Sequence, residues 1–472
     1  MHANVYLPED FLRHVETFLP STLNMEDFIA ACQRPLRKSI RVNTLKISID
    51  DFLQKAQTNG WALTAIPWCE EGFWIDADES IVPLGNTAEH MAGLFYIQEA
   101  SSMLPPSALF CGDEKFEAVL DMAAAPGSKT TQIAALMNNE GVLVANEFAA
   151  SRVKVLHANI ERCGVSNVAM SNYDARVFGG WLPEQFDAIL LDAPCSGEGT
   201  VRKDADAMKN WSLASTKDIA QTQKDLIESA FHALKVGGSL VYSTCALSPE
   251  ENQQVALHLT QTFGDAVEIT SLQQLFPDAE KATTQEGFLH VFPQTYDSEG
   301  FFIAKFKKTG THPAPTVKKR LGKFPFQPLT RKESSDVVTQ LQQAMSISVP
   351  QHSTLWKRDN DIWLFPEALE PMLGEFRFSR MGIKIAEQHK KGYRWQHQVA
   401  TALTNTDTTA VPLSKEDARE WFMGRDVRPE GLSGKGEVFV SYNGFIIGLG
   451  KWVGNRVKNG LPRELVRDKN LF

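Results

Sequence analysis

The chain predicts an α/β fold built on a doubly wound, mostly parallel sheet, and three observations carry this. Between residues 105 and 308, short apolar runs alternate with segments of helical period. Four of those runs lead into an acid: Asp121, Glu147, Asp174 and Asp192. Two runs also lead into a cysteine, Cys195 and Cys245. In an open parallel sheet the ligand crevice lies beyond the carboxyl ends of the strands, so these residues outline one pocket. A single strand-end acid is usually a helix N-cap, and a single free cysteine usually packs in the core; it is their recurrence that points to a site.

Residues 1 to 104 open with an amphipathic helix near Pro8 to Phe18 and then alternate strands and helices, as a small α/β accessory domain would. The central unit, 105 to 308, starts after Leu104-Pro105-Pro106. Its first strand, Glu117 to Asp121, runs into Met122-Ala123-Ala124-Ala125-Pro126-Gly127-Ser128-Lys129-Thr130 and a helix through Met137. Small residues in such a turn let backbone approach a ligand, and the N–H groups of the helix start favour an anion. A nucleoside triphosphate loop is excluded: its lysine directly follows the last glycine, with another glycine five positions earlier, whereas here Ser128 intervenes and Met122 holds the distant position. The second strand, Val142 to Asn146, ends at Glu147, where an acid can accept hydrogen bonds from both ribose hydroxyls of a nucleoside cofactor. Asp174 follows a third strand, Asn167 to Ser171. Gly287 to Phe292 and Gly300 to Phe306 predict an antiparallel hairpin at the sheet edge.

Residues 309 to 375 form a basic linker, with Pro313, Pro315, Pro325 and Pro328, and a small connecting domain of open fold. It holds a helical Val337 to Ala344 and a strand-like Ile362 to Phe365. From 376 to 472 the strongest signal is Val438 to Ser441, the turn Asn443-Gly444, and Phe445 to Trp452, which read as a hairpin.

Three motifs make the function specific. Ala124-Ala125-Pro126-Gly127-Ser128-Lys129-Thr130, Asp192-Ala193-Pro194-Cys195-Ser196-Gly197, and Thr244-Cys245 followed by Pro249-Glu250-Glu251-Asn252 stand in that order. Upstream lie Arg41-Val42-Asn43-Thr44-Leu45-Lys46 and Ile97-Gln98-Glu99-Ala100-Ser101-Ser102. In these residues the chain resembles the RNA cytosine-5 methyltransferase family, and the resemblance runs over most of its length. One departure is Ala205, where relatives commonly carry proline.

The resemblance implies a Rossmann-like class I methyltransferase core, an N-terminal RNA-binding accessory domain, and a C-terminal PUA-like β-barrel over residues 376 to 472. It implies S-adenosyl-L-methionine as cofactor, held by Ala123, Ala124, Ala125, Pro126, Gly127, Ser128, Lys129, Glu147, Asp174 and Asp192. Carbon 5 of cytosine is a poor nucleophile until a thiolate adds at carbon 6. The resemblance assigns that attack to Cys245, release of the product to Cys195, and contact with the polar edge of the base to Asp192, whose partial protonation would stabilise the adduct. A free thiol is mostly protonated at pH 7, so nearby positive charge is needed, with Lys129 and Lys203 as candidates. The implied substrate is 16S ribosomal RNA in the 30S subunit, at cytosine 1407 of the decoding region. Alternatives are transfer RNA methylation and a non-catalytic ribosome-assembly factor. A DNA cytosine-5 methyltransferase would attack with Cys195 and needs a later Glu-Asn-Val, where this chain has Glu250-Glu251-Asn252-Gln253.

Composition agrees with about three domains in a 472-residue chain that is 43% hydrophobic. Its six cysteines include no Cys-x-x-Cys pair, and no charged-then-apolar leader precedes them, so neither a metal site nor a disulfide framework is expected. A cytoplasmic monomer with no membrane or DNA partner is the expectation. The net charge of −9 argues against RNA until its distribution is considered, because residues 380 to 472 carry 16 Lys and Arg against 10 Asp and Glu. Two acid-free runs add to this: Arg34, Arg37, Lys38, Arg41 and Lys46, then Lys305, Lys307, Lys308, Lys318, Lys319, Arg320, Lys323, Arg331 and Lys332. Phosphate contacts from such runs would supply sequence-independent affinity for RNA.

Overall fold

The computed structural model describes residues 5–112, 115–319, 321–390, 392–405 and 407–472, which leaves Arg320 outside the described residues. At its centre is a nine-stranded sheet. Five parallel strands run in the order Leu234–Thr244, Phe186–Asp192, Ala118–Asp121, Val142–Asn146 and Val168–Ser171. The Ala118–Asp121 and Val142–Asn146 strands are buried at every residue, as parallel strands covered by helices on both faces must be. Alternate side chains divide between two cores. Leu120, Val144, Ile189 and Leu191 pack with Phe178, Phe186 and Phe231 on one face, while Val119, Leu143 and Leu190 meet Leu109, Ile133 and Leu156 on the other. This parallel register brings Asp121, Asn146, Ser171, Asp192 and Thr244 to one end of the sheet.

Phe301–Lys308 continues the sheet antiparallel to Leu234–Thr244 and carries Leu289–Val291 as the expected hairpin partner. It also carries Val267–Thr270, a four-residue strand with one buried residue and so little apolar signal. On the opposite edge Arg380–Met381 pairs with Val168–Ser171.

That last pairing comes from a segment assigned by sequence to the C-terminal barrel, and the expected boundary at 375/376 falls inside one sheet. Gln327–Pro328, Ser353–Arg358, Asp361–Pro366, Ile383–His389 and Gly392–Trp395 form five strands. Residues around 374–381 are the loop by which this unit reaches the catalytic sheet, so the break in pattern there is an excursion within a domain. The C-terminal sheet holds Val411–Pro412, Gly434–Tyr442, Phe445–Gly454 and Arg456–Lys458. Its hairpin turns at Asn443 and Gly444, both left-handed at φ 48° and 82°, as a two-residue primed turn requires. The N-terminal unit folds around four antiparallel strands, Ala62–Ile66, Cys69–Asp76, Ser39–Val42 and Phe95–Ile97.

Several basic residues read as RNA-facing are structural. Arg41 is 1% exposed; its Nε donates to Gln98 Oε1 at 2.9 Å and its Nη2 to Thr131 Oγ1 at 2.8 Å. Thr131 lies on the Ser128–Leu136 helix, so Arg41 ties the N-terminal sheet to the helix that follows the Ala123–Gly127 turn. Burial pulls the Lys46 ammonium down to about 8. Lys305 and Lys308 are buried within the sheet, and Lys308 Nζ donates to the Phe231 and Leu234 carbonyls at 3.1 and 2.8 Å. Arg41, Lys305 and Lys308 are bonded inside the fold, whereas Arg34, Arg37, Lys38, Lys318, Lys323, Arg331 and Lys332 remain exposed.

Arg41→Ala would leave Gln98 Oε1 and the Thr131 hydroxyl buried without this partner. It should cost about 2–4 kcal/mol in denaturant unfolding, while exposed Lys332→Ala changes stability by less than about 0.5 kcal/mol. Equal effects would show that Arg41 is no tether.

Candidate active site

Asp192 and Ser243 are register partners on adjacent parallel strands, so the loops that follow them leave the sheet side by side. The Ala193 N–H donates to the Ser243 carbonyl at 2.9 Å, and the two loops bring Cys195 Sγ to 2.8 Å from Cys245 Sγ. Both thiols are free. The hydrogen bond with Cys245, burial and the neighbouring acids push the Cys195 thiol well above its ordinary range. Either sulfur can be the donor in this pair.

Two buried carboxyls clasp the loops reciprocally. Glu198, on the Cys195 loop, accepts from the Leu247 N–H at 2.8 Å, the Ser248 N–H and hydroxyl at 2.6 Å each, and Trp211 Nε1 at 2.7 Å. Glu251, beyond Cys245, accepts from the Ser196 N–H at 3.0 Å and from Gln223 Nε2 at 2.8 Å, and the same amide also donates to the Pro194 carbonyl. Both glutamates have no solvent exposure. Gly199 lets the loops close: its N–H reaches the Cys245 carbonyl at 2.8 Å, and a Cβ there would stand 2.2 Å from the Gly300 carbonyl oxygen. Neither Glu198 nor Glu251 was selected as a site residue from sequence. Pro249-Glu250-Glu251-Asn252 was visible as a motif, but only the structure separates Glu251 from Glu250, which pairs with His14 at 3.1 Å.

Beside the thiols, Lys129 Nζ lies 2.8 Å from Asp192 Oδ2 and 3.0 Å from Ser102 Oγ. Asp192 Oδ1 accepts from the Ser243 hydroxyl at 2.8 Å. Burial pulls the Lys129 ammonium down, but Asp192, Asp121 and Cys245 together more than offset it and hold the group above its ordinary range. A fixed positive charge thus faces Cys245. Lys203, the other candidate, is exposed; its charge bears on Glu299, and no hydrogen bond or ion pair joins it to either thiol among the described residues.

The turn before Lys129 is shaped by its neighbours. The Ala124 N–H donates to the Asn146 carbonyl at 2.7 Å and the Ala125 N–H to Glu147 Oε2 at 3.2 Å, with a cis Ala125–Pro126 bond following. Gly127 is left-handed at φ 110°, and a Cβ would sit 3.1 Å from Leu156 Cδ1. The Ser128–Leu136 helix has no side-chain N-cap, so the N–H groups of its first turn are open to a ligand. Of the four acids expected along one edge, Asp121 instead lies beneath the turn. It is 1% exposed and accepts from the Thr130 hydroxyl at 2.7 Å, and burial pushes it up to about 7. Asp174 caps its own chain: it accepts from the Arg176 N–H at 3.0 Å, and Arg176 holds it below the usual carboxylate range.

Residues 109–307 match the family described as 16S rRNA methyltransferase RsmB/F. Residues 7–100 match the N-terminal domain of 16S rRNA methyltransferase RsmF, 326–403 the pre-PUA domain of ribosomal RNA small subunit methyltransferase F, and 408–467 the methyltransferase RsmF PUA domain. The chain is 73% identical over 473 residues to the ribosomal RNA small subunit methyltransferase F of Vibrio atlanticus (strain LGP32), covering 100% of both chains. The chain belongs to the ribosomal RNA small subunit methyltransferase F family. A relative of the same name in Aliivibrio fischeri (strain MJ11) is 60% identical, again over 100% of both chains. Among solved structures, a methyltransferase homolog from Pyrococcus horikoshii is 34% identical at TM-score 0.52, covering 64% of this chain and all of that one. NSun6 from the same organism, solved with SFG, is 22% identical at TM-score 0.56, covers 64% of this chain and 99% of that one, and shares the fold.

Family membership makes the chain a methyltransferase of small-subunit ribosomal RNA, with S-adenosylmethionine as cofactor and 16S rRNA as partner. Among the described residues, no helix is long and apolar enough to cross a membrane.

Glu198→Ala would strand three buried donors and the half-buried Trp211 Nε1 at once. It should cost about 3–5 kcal/mol of stability; a loss below about 1 kcal/mol would contradict the clasp.

Proposed function

We propose that this protein methylates carbon 5 of one cytosine in 16S ribosomal RNA, cytosine 1407 of the decoding region, through a covalent bond between Cys245 and carbon 6. The observation that carries this reading is the pair of thiols 2.8 Å apart, flanked by the Lys129–Asp192 ion pair. A single thiol would suffice to attack, but release of a carbon 5 proton calls for a second group, a role that the neighbouring Cys195 can fill.

The cofactor fits the residues present. Glu147 spends one hydrogen bond per oxygen on the Ala125 and Ala149 N–H groups, which leaves lone pairs for ribose hydroxyls. The Ala123–Lys129 turn, with the open helix start behind Gly127, suits the carboxylate of the methionine end, and Asp174 would contact the adenine. When bound, S-adenosylmethionine supplies an electrophilic methyl group to carbon 5.

The chain's own residues do the rest. Lys129 stabilises the Cys245 thiolate, and the Cys195 S–H, donating to it, keeps the proton off the nucleophile. Attack at carbon 6 moves electron density toward the polar edge of the base. There Asp192, fixed by Lys129 and Ser243, accepts from the exocyclic amino group and sets the ring's orientation. Once it has given up its own proton, Cys195 takes the carbon 5 proton, carbon 5 and carbon 6 regain their double bond, and Cys245 leaves as thiolate. Reaching a paired cytosine requires flipping it from the helix at a cost of a few kcal/mol. Contacts from the exposed basic residues and the C-terminal domain with flanking RNA offset that cost. The substrate is the 30S subunit, and the enzyme works as a cytoplasmic monomer.

Expression of Cys195→Ala should give an RNase-sensitive, slower-migrating protein band on a denaturing gel, because attack proceeds and release fails. Cys245→Ala should give neither band nor methylation. The reverse pattern would make Cys195 the nucleophile.

A further inference from the structure

The release step raises a question of proton inventory. In the mechanism proposed above Cys245 starts as the thiolate, so the one proton left between the two thiols is on Cys195. Once Cys245 is bonded to carbon 6, Cys195 is still a thiol and cannot act as a base until it loses this proton. The group that takes it must lie behind Cys195, away from the base.

Glu251 lies there. Its Oε2 grips the Ser196 N–H, the residue next to Cys195, while its Oε1 is buried without a hydrogen-bond partner among the described residues. The Ser196 hydroxyl and Gln223 Oε1 share that condition. Buried polar atoms are nearly always hydrogen-bonded, so the unpartnered Oε1 of Glu251 is an oxygen free to accept a proton. The titratable groups facing Glu251 are Cys195 and Glu198 on the opposite loop and Tyr242, whose hydroxyl donates to the Glu251 carbonyl.

We propose that Glu251 is the positioning residue that turns Cys195 into a base, by accepting the Cys195 proton through the Ser196 hydroxyl after the covalent adduct has formed. This rests on the two-cysteine reading above. The Ser196 hydroxyl, bonded to neither group in the resting site, turns to bridge them: the Cys195 S–H bond breaks as its proton passes to the Ser196 oxygen, and the Ser196 proton passes to Glu251 Oε1. Cys195 thiolate then takes the carbon 5 proton; that C–H pair becomes the carbon 5–carbon 6 π bond, and the carbon 6–sulfur pair leaves on Cys245. Glu251 finally gives its proton to solvent, so each turnover releases one proton and returns every residue to its starting state. Burial pushes the Glu251 carboxyl up to about 7, with Ser196 opposing, which suits a group that must accept a proton and later return it near neutral pH.

The test is single-turnover release of methylated RNA from the full-length enzyme on 30S subunits, for Glu251→Gln and Glu251→Asp with Cys195→Ala as control. Glu251→Gln keeps an oxygen for the Ser196 N–H but is a far weaker proton acceptor. It should form the adduct as fast as the wild type and release it at least tenfold more slowly, so that the RNase-sensitive band accumulates. The wild-type release rate should rise with pH through about 7, since the carboxylate form is required; Glu251→Gln should lose that dependence and Glu251→Asp should restore it. Release at the wild-type rate in Glu251→Gln would overturn the proposal, as would slowed adduct formation with a normal pH dependence of release, the mark of a purely structural role. If Cys195→Ala itself traps no adduct, the two-cysteine reading fails; if it does and Glu251→Gln does not, only this proposal fails.

Discussion

The site depends on a reciprocal pair of hydrogen-bonded carboxyls. The sheet fixes Asp192 and Ser243 opposite each other, but the segments beyond them are irregular and share few ladder bonds. Glu198 reaches from the Cys195 loop to three donors on the Cys245 loop, and Glu251 reaches back to the Ser196 N–H. A buried carboxyl costs several kcal/mol unless donors surround it. The four bonds to Glu198 offset that cost and make the spacing of the loops stiff, which is what holds two sulfur atoms at 2.8 Å. Glu251, with one oxygen left over, is less fully satisfied, and its chemistry is correspondingly available.

The same economy of buried polar contacts joins the domains. Arg41 and Gln98 bind the Ser128–Leu136 helix, Gln98 Nε2 meeting Gln132 Oε1 at 3.0 Å. Asn43 Nδ2 donates to the Gly93 and Cys163 carbonyls at 2.8 Å each, so the N-terminal domain also grips the end of the Ala150–Cys163 helix. These are the two helices that follow the Ala123–Gly127 turn and Glu147. An accessory domain attached in this way steadies the cofactor side of the sheet, while Arg380–Met381 closes the sheet's other edge and carries the C-terminal domains with it. Cations act as ties elsewhere too: Lys384 pairs with Asp361 at 2.6 Å and Arg425 with Glu420 at 2.9 Å.

What the sequence made legible were features set by local pattern. The strand, turn and helix around Gly127 and the hairpin at Asn443-Gly444 depend on residues within a few positions of each other, and both stand where they were read. The thiols came through because each closes a long apolar run. The roles of charged side chains were harder to read. Arg41 looked like a phosphate contact because its partners, Gln98 and Thr131, lie 57 and 90 residues away. Asp121 looked like a pocket acid because its burial comes from the turn folding over it. Glu198 carried no periodic signal, and its importance arises only when two loops meet. The 375/376 boundary misled for a related reason: a two-residue strand that docks on another domain interrupts the pattern of its own.

The most direct test uses the wild-type enzyme with RNA whose target cytosine carries fluorine at carbon 5. Fluorine cannot leave as a proton, so the reaction halts at the covalent stage whatever the release machinery does. Peptide mass mapping after nuclease digestion should then find a methylated fluorocytidine on the peptide containing Cys245. A nucleotide on Cys195, or none on either cysteine despite methyl transfer to normal RNA, would contradict the account.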